Sequence, residues 1–120
     1  MQDYRKLLVW QKAHSFTVEV YNFSQSFPRE ELFGLTNQLR RASSSIAANI
    51  AEGCGRSSNK ELAHFLNISL GSTNEVAYFA LLAKDLNYLE PVKFDDLFEQ
   101  INEIKGMLIA LINKVRNKTI

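Results

Sequence analysis

Glu61 and His64 stand three residues apart in a segment with helical periodicity. That spacing is used by carboxylate-bridged metal sites inside helical bundles. Such a site needs a second Glu-x-x-His pair and inward carboxylates from the other helices. The other histidine, His14, has no glutamate three residues before it. Glu61 also has a simpler role, because Ser58-Asn59-Lys60-Glu61 has capping-box spacing and Glu61 is its last member. No metal or other cofactor is expected. Serine chemistry is equally poorly supported: Ser43-Ser44-Ser45 falls within a helical block, and the chain has no Gly-x-Ser-x-Gly elbow. Cys54 is the single cysteine, and no histidine lies close in sequence to act as its base. Arg56 and the start of the following helix would lower its pKa. The residues therefore predict no catalytic site, no enzyme and no small-molecule substrate.

A weaker kind of chemistry is present. Gly53-Cys54-Gly55-Arg56-Ser57-Ser58 carries an arginine and hydroxyls and leads into a helix N-terminus. Such an end favours phosphate, although the same residues also read as a capped helix–helix turn. From Arg40 to Lys60 the cations are Arg40, Arg41, Arg56 and Lys60, and the one anion is Glu52, a local balance of +3. Lys114, Arg116 and Lys118 extend the basic character at the C-terminal end. Arg40, Arg41, Arg56 and Lys60 are the candidate contacts to a nucleic-acid backbone. Aromatic residues do not alternate with these cations, so base stacking is not indicated. The whole chain of 120 residues has a net charge of +1, so any polyanion site must be local.

The elements that must position these residues follow from one spacing. Apolar residues recur at alternating intervals of three and four in four blocks, and no block has a sustained period of two. The stripes run Val9 to Phe27, Leu35 to Gly53 through Ile46 and Asn49, Phe65 to Leu86 through Ser72 and Phe79, and Phe94 to Val115. Phe27-Pro28 ends the first helix, with a short helical turn expected over residues 29–33. Gly53-Cys54-Gly55 closes the second with a left-handed glycine cap, Ser58 opens the third, and Glu90-Pro91 separates it from the fourth. Short loops make consecutive helices antiparallel neighbours. The predicted fold is all-α: a single domain over residues 1–120, an up-down-up-down four-helix bundle.

The second and third blocks are apolar on too many sides for a lone bundle. Ala47, Ala48 and Ala51 lie behind the second stripe, and Leu70, Tyr78 and Leu81 lie outside the third. These residues are the expected interface of a homo-oligomer. Gln38, Ser45, Asn49, Glu52, Ser72 and Glu75 form a separate polar set, expected to pair internally and fix register, with Glu75 reaching Arg40 or Arg41. The longest strongly apolar run near the N-terminus is Leu7-Leu8-Val9-Trp10, too short for a membrane span. The lone cysteine fits a cytoplasmic setting.

Several of these segments resemble a known family. They are Leu8-Val9-Trp10-Gln11-Lys12-Ala13, Phe27-Pro28, Gly34-Leu35, Gln38-Leu39-Arg40-Arg41-Ala42, Ser45-Ile46, Asn49-Ile50-Ala51-Glu52-Gly53 and Gly55-Arg56. Phe65-Leu66 and Gly71-Ser72 with Glu75 continue the match. Together they resemble the 23S rRNA-intervening-sequence protein family, also called four-helix bundle proteins. The resemblance implies a small cytoplasmic bacterial protein, a left-handed four-helix bundle and a homo-oligomer of pentameric form. It also implies a likeness to the basic pentameric accessory protein of diversity-generating retroelements, which associates with nucleic acid. It carries over no catalytic residues. The functional expectation is a non-enzymatic oligomer that contacts nucleic acid through its basic patch. The alternative is an oligomeric protein-interaction module whose arginines are held in ion pairs.

Overall fold

Val9, Ala13, Phe16 and Val20 line one side of the first helix and are buried, as their 4, 3, 4 spacing requires. The computed structural model describes residues 2–118. Its elements are α1 (Leu8–Phe23), α2 (Leu35–Cys54), α3 (Asn59–Asp85) and α4 (Pro91–Asn117), with short 3-10 turns at Tyr4–Lys6, Ser24–Ser26 and Arg29–Glu31. Among the described residues there is no strand. The helices share one apolar core in an elongated bundle of 48 × 23 × 20 Å. The most extensive contact is α2 with α3, followed by α3 with α4 and α1 with α2. The seam between α1 and α4 is the thinnest of the four. Among the described residues, no helix is long and apolar enough to cross a membrane.

The helix boundaries have local causes. Ser58 Oγ accepts the Glu61 N–H at 3.1 Å and donates to the Glu61 carboxylate at 3.2 Å, so α3 opens on its expected cap. Pro91 occupies the first turn of α4, where its missing N–H costs nothing. The expected left-handed glycine cap after α2 does not form. Gly53 lies inside the helix, and Gly55 has φ −84°. Gly53 serves a different purpose: a Cβ there would stand 3.0 Å from both Leu62 Cδ1 and Phe65 Cβ. The glycine lets α3 cross close to the end of α2. The left-handed residue among the described residues is Asn87, φ 66°, which turns the chain after α3.

The core face of α3 also differs from expectation. The buried series is Leu62, Leu66, Ser69, Thr73, Val76, Ala80 and Ala83, again at intervals of 4 and 3. Phe65, Ser72 and Phe79 are half-buried at its flank, and Leu86 is exposed. In α2, Ile50 takes the core position and Asn49 is half-buried. A helix apolar on many sides offers more than one stripe at the same period. Packing against α2 selects the narrow one, whose serine, threonine and alanines permit close approach.

The α1–α4 seam is closed by polar links. Lys12 pairs with Glu103, and Lys93 pairs with Glu19. Gln100 donates to Glu19 at 3.1 Å. Burial pushes the Glu19 carboxyl up, but the hydrogen bonds from Lys93 and Gln100 and the lysine charge outweigh it, so its pKa lies below the ordinary value.

On this packing, Leu66→Ala should cost about 3 kcal/mol in chemical denaturation, while Leu86→Ala should stay within about 0.5 kcal/mol. Equal losses would return α3 to the wider stripe. For Glu19, the unfolded chain takes up its proton at a higher pH than the folded chain does. Its stabilisation is present above the unfolded pKa and is lost as pH falls through the folded one. The Tm difference between wild type and Glu19→Gln should therefore shrink from about pH 6 to about pH 3.

Candidate functional site

The four candidate cations do not form one patch on the chain. Arg40 points back to the end of α1, where its Nε donates to Ser24 Oγ at 2.8 Å and Nη2 donates to the Tyr21 carbonyl at 3.3 Å. Its guanidinium also lies 4.9 Å from the centre of the Tyr21 ring. The expected pairing of Arg40 with Glu75 is replaced by this anchor, because the side chain leaves α2 on the α1 side. Arg41 lies instead on the α2–α3 side, in a groove of about 380 Å³ with Gln38, Ser45 and Glu75.

Arg56 sits beyond the other end of α2, about 22 Å further along the helix direction. Its Nη2 donates to Glu52 Oε1 at 2.8 Å, and Nη1 stands 3.8 Å from Glu61 Oε2. The guanidinium covers the Phe65 ring at 4.8 Å. Two carboxylates thus balance the charge expected to attract phosphate. Lys60 is exposed nearby, and with His64 and Arg116 it lines a cleft of about 760 Å³ between the start of α3 and the end of α4. Sequence alone does not connect Arg116 with Lys60, because only the packing of α4 on α3 brings them to one cleft.

The polar set divides in the same way. Ser45 and Ser72 share a hydroxyl–hydroxyl hydrogen bond of 2.9 Å, and the Asn49 amide donates to Ser45 Oγ at 3.0 Å. Gln38 and Glu75 line the groove beside them. Glu52 belongs to Arg56. Hydroxyls outside the expected set make further links: the Thr17 hydroxyl is shared between its own Ala13 carbonyl at 2.9 Å and the Ser43 carbonyl at 3.0 Å, and Ser69 donates to the Ile46 carbonyl at 2.8 Å. Ser69 stands at a stripe position, where periodicity alone ranks a small polar residue as a defect, and Thr17 stands beside its stripe, where periodicity gives no signal.

The expected interface residues separate by exposure. Ala47 is buried in the chain's own core at 8% exposure and cannot face another subunit, because α2 carries core residues on more than one stripe. Ala51 and Leu70 are half-buried, whereas Ala48, Tyr78 and Leu81 are exposed. Cys54 is 1% exposed, and burial pushes its thiol above the ordinary value, the opposite of the lowering expected from Arg56. His64 is exposed and edge-on to Phe65. Among the described residues, no three His, Cys, Asp or Glu side chains gather as a metal site.

Four helices around a common core, with cations split between two ends and hydroxyls linking the helices, define an all-helical bundle protein. The chain belongs to the 23S rRNA-intervening sequence protein family, whose model matches residues 5–110. It is similar to a crystal structure from Bacteroides thetaiotaomicron, described as a protein of unknown function from the S23 ribosomal protein family. That chain is 27% identical, with a TM-score of 0.81 over 88% of this chain and 96% of the other. No curated protein matches the sequence.

The Cys54 geometry makes a direct prediction. Its thiol should react with an aromatic disulfide reagent about a hundredfold or more slowly in the native protein than in denaturant, since reaction must await opening of the α2 end. Comparable rates would place Cys54 at the surface.

Proposed function

We propose that this chain is a non-enzymatic homo-oligomeric bundle protein of the cytoplasm that contacts the backbone of nucleic acid. In this reading the helices alternate up and down in a left-handed bundle, and five copies form a ring. The observation that carries it is the cleft lined by Lys60, His64 and Arg116, where cationic side chains from two helices converge. Each further subunit repeats the cleft, so several weak phosphate contacts act together. Arg41 is the second candidate contact, at the α2–α3 groove. The exposed Ala48, Tyr78 and Leu81 supply the face for self-association, where small and aromatic side chains permit close packing.

A second reading is favoured by the Arg56–Glu52 and Arg40–Ser24 contacts. In that reading the arginines hold the fold, and the oligomer is a protein-interaction module without nucleic acid.

Light scattering should report an oligomer, with a pentamer expected, and Ala48→Glu should weaken it by placing a charge in a close helix contact. A monodisperse monomer at micromolar concentration would remove the ring. Fluorescence anisotropy with structured RNA and duplex DNA should show binding that is weakly sequence-specific and strongly salt-dependent. Lys60→Ala should lower the salt slope by about one unit for each phosphate that the assembly no longer neutralises, and Arg56→Ala should lower it less. Undetectable binding at low salt would leave the interaction-module reading.

A further inference from the structure

The end of the bundle where α1 passes to α2 and α3 to α4 exposes large apolar side chains. Phe33 is 90% exposed and Val92 79%, and Leu32 and Leu86 are exposed as well. Phe33 does not sit on a loose loop. The Gly34 N–H donates to the Glu31 carbonyl at 2.9 Å, and the Glu31 carboxylate accepts the Leu35 N–H at 3.2 Å and the Tyr88 hydroxyl at 3.1 Å. The Phe27 and Tyr88 rings, 5.7 Å apart, hold the two connections together beneath it. Nothing in this turn requires a phenyl ring at position 33, and a ring left in water forgoes its burial energy. A large apolar group on a fixed turn also loses little freedom when it is covered.

The two ends of the chain differ in charge. Within residues 27–34 and 84–92, Glu30, Glu31, Asp85 and Glu90 outnumber Arg29 and Lys84. Within residues 55–61 and 112–118, Arg56, Lys60, Lys114, Arg116 and Lys118 stand against Glu61 alone. The 20 residues of α2 separate the ends by about 30 Å. The basic end holds the cleft of about 760 Å³, whose lining includes Lys60, His64 and Arg116, with Ala63 as its apolar member. An aromatic ring fits such a lining, because its face attracts cations and stacks on an imidazole.

We propose that the Phe33 tip of one copy docks into the Lys60–Arg116 cleft of a second copy. Phe33 enters the cleft, and Glu30, three residues before it, meets the cations at the rim. Charge selects this occupant. Two tips brought together would set Glu30 against Glu30, and two basic ends would repel in the same way. Tip and cleft lie at opposite ends of the chain, so the contact is heterologous and copies add head to tail. It is separate from the sideways face at Ala48, Tyr78 and Leu81 and does not depend on a ring. It does not depend on nucleic acid either, although a polyanion held in the cleft would compete with the tip.

The test uses the full chain, treated with nuclease, in sedimentation velocity over a rising concentration series at low salt. Wild type should grow with concentration beyond any fixed sideways assembly, and added salt should weaken the growth. Phe33→Ser and Lys60→Glu should each reduce the association constant about tenfold or more, with the Tm unchanged because both side chains are exposed. Mixing the two variants should restore association that stops at pairs, since the mixture combines one intact tip with one intact cleft. No growth of wild type leaves the tip to a partner of another sequence and overturns the proposal. Growth lost in Phe33→Ser but kept in Lys60→Glu gives a tip-to-tip contact and overturns it too. So does growth kept in Phe33→Ser, or a mixture that fails to pair.

Discussion

The rest of the structure depends on how closely α2 is approached by its two neighbours. Thr17 from α1 and Ser69 from α3 reach backbone carbonyls of α2 at Ser43 and Ile46, at 3.0 and 2.8 Å. A side-chain hydroxyl can bond to a carbonyl of another helix only where no large side chain stands between. Ala42, Ser43 and Ala47 on α2 and Ser69, Ala80 and Ala83 on α3 meet that demand, and Gly53 meets it at the end of α2. Each hydroxyl removes its own desolvation cost by taking a carbonyl lone pair that the helix leaves free. Close packing and polar satisfaction are the same event in this core.

That approach decides where the large residues and the charges go. With the narrow face of α3 turned toward α2, Phe65 and Phe79 move to the flank of the helix pair. Phe65 then gives Arg56 a ring to cover, and Glu52, one turn earlier on α2, completes the anchor. A guanidinium held between a ring and a carboxylate has less net field to offer a polyanion than an exposed lysine has. Lys60 therefore presents its charge more openly than Arg56, although Arg56 is the residue that a glycine-containing loop would suggest first. The seam between α1 and α4 shows the contrasting solution. There the helices are joined by Lys12–Glu103 and the Glu19–Lys93–Gln100 cluster, charged links where the α2–α3 seam has hydroxyl ones.

The relative from Bacteroides thetaiotaomicron keeps the backbone at 27% identity. Volume-conserving changes in a core are tolerated, whereas adding atoms at a crossing point is not. Function is not read from such a core. It has to be sought where the helices leave polar groups facing open space, as at the Lys60 cleft.

The sequence by itself determined the number of helices, their approximate limits, the core faces of α1 and most of α4, and the Ser58 cap of α3. Each of these is a local property, fixed by 3.6-residue periodicity and by hydrogen bonds within one turn. It also marked Arg40, Arg41, Arg56 and Lys60 as candidate cations, but not their states, since an arginine's partners lie on other helices. Tertiary structure alone decided that Arg40 turns to Ser24 and Arg56 to Glu52, and that Gly53 is a contact rather than a cap. It also chose the face of α3. A helix with apolar residues on most sides has several stripes of equal period, and the choice among them is made by the width of the gap that the neighbouring helix leaves.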